Sequence, residues 1–164
     1  MLIRGAGPVG CALALGLKES PLKVALLGAS ARTSPFRPIA LSYASRLVLE
    51  RLGVWEKLQV TPIESILVSQ QQGFGRMRMD AADAGVPALG YVTDYQSLLD
   101  ILRDKAHGLL VDEAPPARCV VHAEGVAPEV EEKRYPQDAV VALVRTRPAS
   151  SVTAFERFTS GGPL

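Results

Sequence analysis

Three glycines set the chemistry this chain could do. Gly5, Gly7 and Gly10 stand in Gly5-Ala6-Gly7-Pro8-Val9-Gly10, between the short apolar pair Leu2-Ile3 and a helical pattern that begins at Cys11. A cofactor diphosphate needs this spacing: the first glycine makes the tight turn, the second lets main chain approach the phosphates, and the third lets helix pack on strand. The helix start adds unpaired amides and the positive end of a dipole. Cofactor contact is therefore expected over Gly5, Gly7, Pro8, Val9 and Gly10. A strand-to-helix turn that holds no ligand uses the same glycines, and that reading stays open. After the next apolar run, Lys23 to Leu27, a dinucleotide site ordinarily carries an acid for the adenosine ribose hydroxyls, but here stands Gly28-Ala29-Ser30-Ala31-Arg32. Without that carboxylate, Ser30 and Arg32 could accommodate the 2′-phosphate of NADP instead.

Other reactive side chains are sparse. Cys11 and Cys119 lack metal or redox spacing, and His107 and His122 are isolated, reading as a helix-end residue and a strand residue. No metal site is expected, and no catalytic acid or base can be named. A net charge of +1 with no clustered Lys/Arg face argues against a nucleic-acid partner. The opening has no charged region followed by a hydrophobic signal core, and no apolar run is long enough to span a bilayer. The expected setting is cytoplasmic, with any membrane association peripheral to the inner membrane.

The elements that must position the loop follow from periodicity. The 164 residues suit one domain with a real core. Leu2, Ile3 and Arg4 read as a clipped first strand, because Arg4 sits where a buried strand should be apolar. Val9, Leu13, Ala14 and Leu17 recur at helical spacing, and Lys23 to Leu27 reads as a buried parallel strand. Ser42 or Ser45 can cap a helix that stops at Gly53, with Val54, Trp55 and Leu58 extending its apolar face. Ile63 to Ser69 reads as a strand, Gly73-Phe74-Gly75 as a turn, and Met77 to Met79 as the returning strand. Thr93 or Asp94 caps a helix that buries Leu98, Leu99, Ile101 and Leu102 and ends at Gly108. Cys119 to Ala123 reads as a strand, a charged loop runs to Pro136, and Ala139 to Arg145 and Val152 to Phe158 read as two more strands.

Several ordered segments together resemble the FAD-dependent aromatic hydroxylases of ubiquinone biosynthesis, the 2-octaprenyl-6-methoxyphenol hydroxylase branch. They are the glycine loop with Pro8-Val9-Gly10, Arg37-Pro38-Ile39-Ala40-Leu41-Ser42, Leu49 to Trp55, Pro62-Ile63 with Val68-Ser69, Ala88-Leu89-Gly90-Tyr91-Val92, Tyr135-Pro136-Gln137, and Phe155-Glu156-Arg157-Phe158-Thr159. The resemblance implies an α/β fold: a Rossmann-like FAD-binding βαβ domain, incomplete, with the start of a β-rich substrate domain. It implies a single partial FAD-binding domain over 1–164, with strands of an incomplete substrate sheet in 61–92 and 138–164. It also implies that Arg37 reaches the phosphate and ribityl region, that Gln96 falls near the flavin side, and that Glu124-Gly125 matches an Asp-Gly pair beside the cofactor. For Arg37 a solvated arginine or an ion pair is the plain alternative, and for Gln96 a surface position in a first helical turn.

In such enzymes the flavin carries the oxygen chemistry while the protein binds and shields, NAD(P)H being the candidate reductant and a small aromatic or quinol molecule the substrate. The chain departs from the pattern at the missing ribose acid, in the short passage from His107 to Arg118, and at Gly161-Gly162-Pro163-Leu164, where the family continues to a Gly-Asp motif. The expectation is a truncated, internally shortened relative too incomplete to be active. The alternatives are an NADP-binding Rossmann-type domain and a non-catalytic remnant that serves as a binding module, whose uncovered apolar surface would favour homo-oligomer contact.

Overall fold

The computed structural model describes residues 1–28, 37–125, 135–145, 147 and 152–163. Ser30 and Arg32, the loop over 126–134 and Leu164 lie outside the described residues. The chain has a mixed α/β fold with parallel and antiparallel sheets, divided into two compact units.

The first unit comprises Met1–Arg37, Leu49–Leu58 and Asp94–Val141. Its sheet has strand β1 (Leu2–Arg4) at the centre, β2 (Ala25–Leu27) on one side and β9 (Val120–His122) on the other, with β8 (Leu110–Val111) beyond β2. All pairings are parallel, Leu2 facing both Ala25 and Val120. Parallel neighbours need crossovers, and helix α1 (Pro8–Gly16) supplies the one from β1 to β2. Helix α3 (Tyr95–Ala106) packs on α1 and leads through a short helical turn at His107–Leu109 into β8. The core holds Ile3, Cys11, Ala14, Leu26, Val54 and Leu102, with Leu98 and Leu99 beside them.

Two expectations for this unit are corrected. Arg4 is exposed, yet β1 is neither frayed nor peripheral: its amides and carbonyls are matched on both sides, with Leu2 N donating to Cys119 O at 2.9 Å and Ala123 N to Arg4 O at 2.7 Å. Helix α1 starts at Pro8 rather than Cys11, since proline at the first position forfeits only an amide that would have no helical partner. It buries Gly10, Cys11, Ala14 and Leu15, while Val9 is 72% exposed and Leu13 36%. A helix apolar nearly all round carries no phase in its periodicity, and Gly10, Cys11 and Ala14 share the inner face with Leu15, Gly10 standing where the loop comes too close for a side chain.

The second unit comprises Pro38–Val48, Gln59–Thr93 and Ala142–Leu164. A three-stranded sheet runs in the order β3 (Pro38–Ser42), β7 (Gly90–Asp94), β4 (Thr61–Ile63), with β4 antiparallel to β7. Pro38 opens β3, where a strand tolerates a missing donor. A second sheet orders β11 (Gly162–Pro163), β10 (Thr153–Thr159), β5 (Ser65–Gln70) and β6 (Arg76–Asp80). The expected strand from Ile63 is interrupted at Glu64, so β4 and β5 join different sheets. The Gly73-Phe74-Gly75 turn returns the chain as β6, antiparallel to β5, and β10 lies parallel to β5. Residues Ala139 to Arg145, expected as a strand, form none: every one is exposed and none finds a ladder. Helix α2 (Tyr43–Arg51) begins in this unit, its first turn capped by Ser42, whose Oγ accepts from Ser45 N at 3.1 Å. Arg46 donates to Tyr91 Oη at 2.6 Å. The buried apolar set here is thin, Ala81, Ala88 and Tyr91.

Candidate functional site

The glycine loop joins the end of β1 to the start of α1, and the three glycines answer to different demands. Gly5 has φ +102°, a region that favours glycine, and a Cβ there would lie 2.4 Å from Ala123 O and 2.7 Å from Glu124 N. A Cβ on Gly10 would come within 1.9 Å of Gly5 O. These two are required by the protein itself, one by the turn and its packing against the end of β9, the other by the approach of helix to loop. Gly7 differs. It is the N-cap of α1 with an ordinary φ of −79°, and among the described residues an added Cβ would find only Tyr95 Oη, at 3.9 Å. No contact among the described residues needs a glycine there, and the bare main chain is open to close approach.

The loop is tied down from behind. Gly5 N donates to Leu27 O at 2.8 Å, and Cys11 N donates to Gly7 O at 2.9 Å as α1 begins. Arg103, on α3, donates from Nη1 to Ala6 O at 3.3 Å and from Nη2 to Gly28 O at 3.4 Å, so one guanidinium spans the turns after β1 and after β2. Gly28 also fits closely, since a Cβ on it would sit 2.5 Å from Ala6 N. With these carbonyls held inward, the start of α1 is left with neither a capping side chain nor an acid in its first turn. First-turn amides and a helix dipole without an internal anion favour negative charge. Burial pushes the Cys11 thiol up, a rise moderated by the nearby Arg103 charge, so Cys11 serves as a small core residue whose Sγ lies 3.5 Å from Ala6 O.

Pro8 is half-buried and Val9 exposed at the start of α1. Arg37 stacks over the Tyr95 ring at 4.6 Å, and Tyr95 N donates to Arg37 O at 2.9 Å. Tyr95, whose hydroxyl would lie 3.9 Å from a Cβ on Gly7, thus links Arg37 to the loop. Gln96 follows on α3, its Nε2 donating to Asp100 Oδ1 at 2.7 Å along the helix surface. Asp94, rather than Thr93, caps α3: its carboxylate accepts from Ser97 N at 2.8 Å, and that bond, helped by the Ser97 hydroxyl, holds the carboxyl below the usual range. The backbone of Ala123 and Glu124 packs against Gly5, and Gly125 follows with φ +81°. His122 Nδ1 pairs with Glu124 Oε2 at 3.1 Å on the surface. Among the described residues no group of three His, Cys, Asp or Glu side chains is placed to hold a metal. Nor is any helix among them long and apolar enough to cross a membrane.

Arg103 and Tyr95 are the residues that sequence reasoning passed over. Neither belongs to a motif. Arg103 acts on main-chain carbonyls distant in sequence, and Tyr95 matters because its ring bridges Arg37 and Gly7.

No family model matches the chain. An uncharacterized protein of Synechocystis sp. is 33% identical over 108 residues, which cover 62% of this chain and 26% of that protein. The ubiquinone hydroxylase UbiM of Neisseria meningitidis is 42% identical over 64 residues, 35% of this chain and 14% of its own length. The chain thus spans about a quarter or less of the curated relatives it matches, 26% and 14% of their lengths. Among solved structures, the tetrameric form of 2-methyl-3-hydroxypyridine-5-carboxylic acid oxygenase aligns with a TM-score of 0.52 at 19% identity, over 74% of this chain and 30% of that one. p-Nitrophenol 4-monooxygenase PnpA from Pseudomonas putida gives 0.51 at 19% identity over the same shares, 74% and 30%. A variant of HpxO from Klebsiella pneumoniae complexed with FAD gives 0.51 at 15% identity, over 66% of this chain and 29% of that one. The chain therefore has the mixed α/β fold of part of these oxygenases.

Proposed function

We propose that this chain is the nucleotide-binding portion of an FAD-dependent monooxygenase that hydroxylates an aromatic or quinol ring. The observation that carries the reading is the contrast within the glycine loop, where the fold demands Gly5 and Gly10 and leaves Gly7 open for a close main-chain contact. The start of α1 would take the diphosphate of FAD, Gly5, Gly7, Pro8, Val9 and Gly10 lining it, with the Arg37 cation, steadied on Tyr95, beside the phosphates. Gln96 and Gly125 complete the proposed contacts. Bound flavin would supply the redox and oxygen chemistry, and the chain's own part is to bind, orient and exclude water. Ubiquinone biosynthesis as the setting draws its support from the short match to UbiM and from the ordered segments that resemble the ubiquinone hydroxylases.

Titration of the purified chain with FAD, followed by flavin fluorescence and by absorbance, tests the reading. Saturable FAD binding that Gly7→Val abolishes is the expected result. Uptake of NADPH without FAD would replace the flavin with an NADP site, and indifference to both would leave a binding module without a nucleotide.

A further inference from the structure

We propose that the tip of the β5–β6 hairpin, backed by Arg76 and Arg157, docks on an anionic lipid surface. The proposal concerns the second unit alone and stands independently of the nucleotide reading. Phe74 sits between Gly73 and Gly75 with its side chain fully exposed, and among the described residues a Cβ on Gly75 would touch nothing within 4 Å. The turn that carries it is anchored to the end of β10: Gln71 N donates to Phe158 O at 2.8 Å, and Ser160 N to Gln71 Oε1 at 3.4 Å. An aromatic ring is thus held out from a braced turn rather than left on a free end.

Strand register places the charges. Ser69 faces Arg76 on β6 and Arg157 on β10, so both guanidinium groups stand on one face at the turn end of the sheet. The next level pairs Leu67 with Arg78 and Phe155. Arg78 is bonded to Asp80 at 2.6 Å, whereas Arg76 and Arg157 form no ion pair among the described residues. Glu156 faces the other side with Val68 and Met77, and Asp80 lies at the far end opposite Ser65. Along the strands the charges are therefore polarised, with Arg76 and Arg157 at the turn end and Asp80 at the far end.

The distribution of the apolar groups selects the occupant. Phe155 is exposed on the arginine face, Met77, Met79 and Phe158 on the opposite face, and Phe74 beyond both at the turn. A folded partner covers one side of a sheet, but these groups stand on both faces and at the turn between the strands. An interfacial layer takes such an end by letting aromatic and thioether groups enter the headgroup boundary while guanidinium groups pair with lipid phosphates. The charge complement is an anionic bilayer.

Co-sedimentation of the full chain with vesicles tests this. Binding to phosphatidylcholine–phosphatidylglycerol vesicles at low ionic strength is expected, with little on phosphatidylcholine alone. Phe74→Asp should abolish it, Phe74→Trp should keep it, and the pair Arg76→Gln with Arg157→Gln should weaken it by about 25-fold, from roughly fivefold per arginine near the surface. Unchanged thermal melting in each variant ties the loss to the surface rather than to unfolding. Failure to bind the mixed vesicles, binding undiminished by Phe74→Asp, or equal retention on polyanionic RNA regardless of residue 74 would each overturn the proposal.

Discussion

Replacing the three loop glycines one at a time with alanine separates what the fold requires from what a ligand requires. At Gly10 the new methyl would start 1.9 Å from Gly5 O, so loop and helix must part by roughly 1.5 Å to restore ordinary contact. Overpacking of that kind costs about 1–3 kcal/mol. At Gly5 a positive φ of +102° adds about 1–3 kcal/mol of backbone strain to the clash with Ala123. Both variants should melt several degrees below the parent, at about 4–8 °C per kcal/mol for a unit of this size. At Gly7 the backbone is already ordinary and, among the described residues, the methyl meets only Tyr95 Oη at 3.9 Å. The loss of a good N-cap, about 0.5–1 kcal/mol, is offset by the stiffer unfolded chain, leaving a net change within about 0.5 kcal/mol. FAD affinity should nevertheless fall at least tenfold, about 1.4 kcal/mol, because the methyl occupies the space a diphosphate needs. Scanning fluorimetry gives the melting points and flavin fluorescence gives Kd. Equal thermal losses at Gly7 and Gly10, or an unchanged Kd in Gly7→Ala, would refute the reasoning.

Arg103→Met should loosen both turns that the guanidinium holds, lowering stability by about 1–2 kcal/mol for two long charge-assisted bonds. Thermal melting measures the loss, and faster labelling of Cys11 by a thiol reagent reports the opening beside it. Asp94→Ala should cost about 1 kcal/mol as a lost cap on α3. Since the Asp94 carboxyl is held below its ordinary range in the fold, its contribution is complete above the unfolded carboxyl value and disappears as the pH falls below about 4. Melting curves across that range should drop less steeply for Asp94→Ala than for the parent.

Features set by short-range chemistry were readable in advance. Glycine spacing marked the loop, a polar residue followed by apolar positions marked the start of α3, and two glycines around Phe74 marked the β5–β6 hairpin. What escaped depends on partners distant in the chain. The inner face of α1 is chosen by how closely neighbouring elements approach, so Cys11 and Ala14 are buried while Val9 and Leu13 are not. Ala139 to Arg145 has strand-like composition but meets no partner strand among the described residues, and a strand without a ladder does not persist. The two-residue strand β8 is too short for any periodicity to show. Arg103 left no trace because its acceptors are carbonyls, which every residue carries.

The position of β1 in its sheet bears on how the chain reaches its fold. One flank is satisfied early, when Ala25 to Leu27 arrive, but the other stays open until Val120 to His122 can pair with Leu2 to Arg4. Until then a growing polypeptide displays an apolar ribbon of unmatched amides, the kind of template on which chains stick to one another. Late closure of so distant a pairing also slows folding, since a large loop must be ordered before its contacts form. During synthesis, this domain should lean on chaperones for as long as that flank remains unfilled.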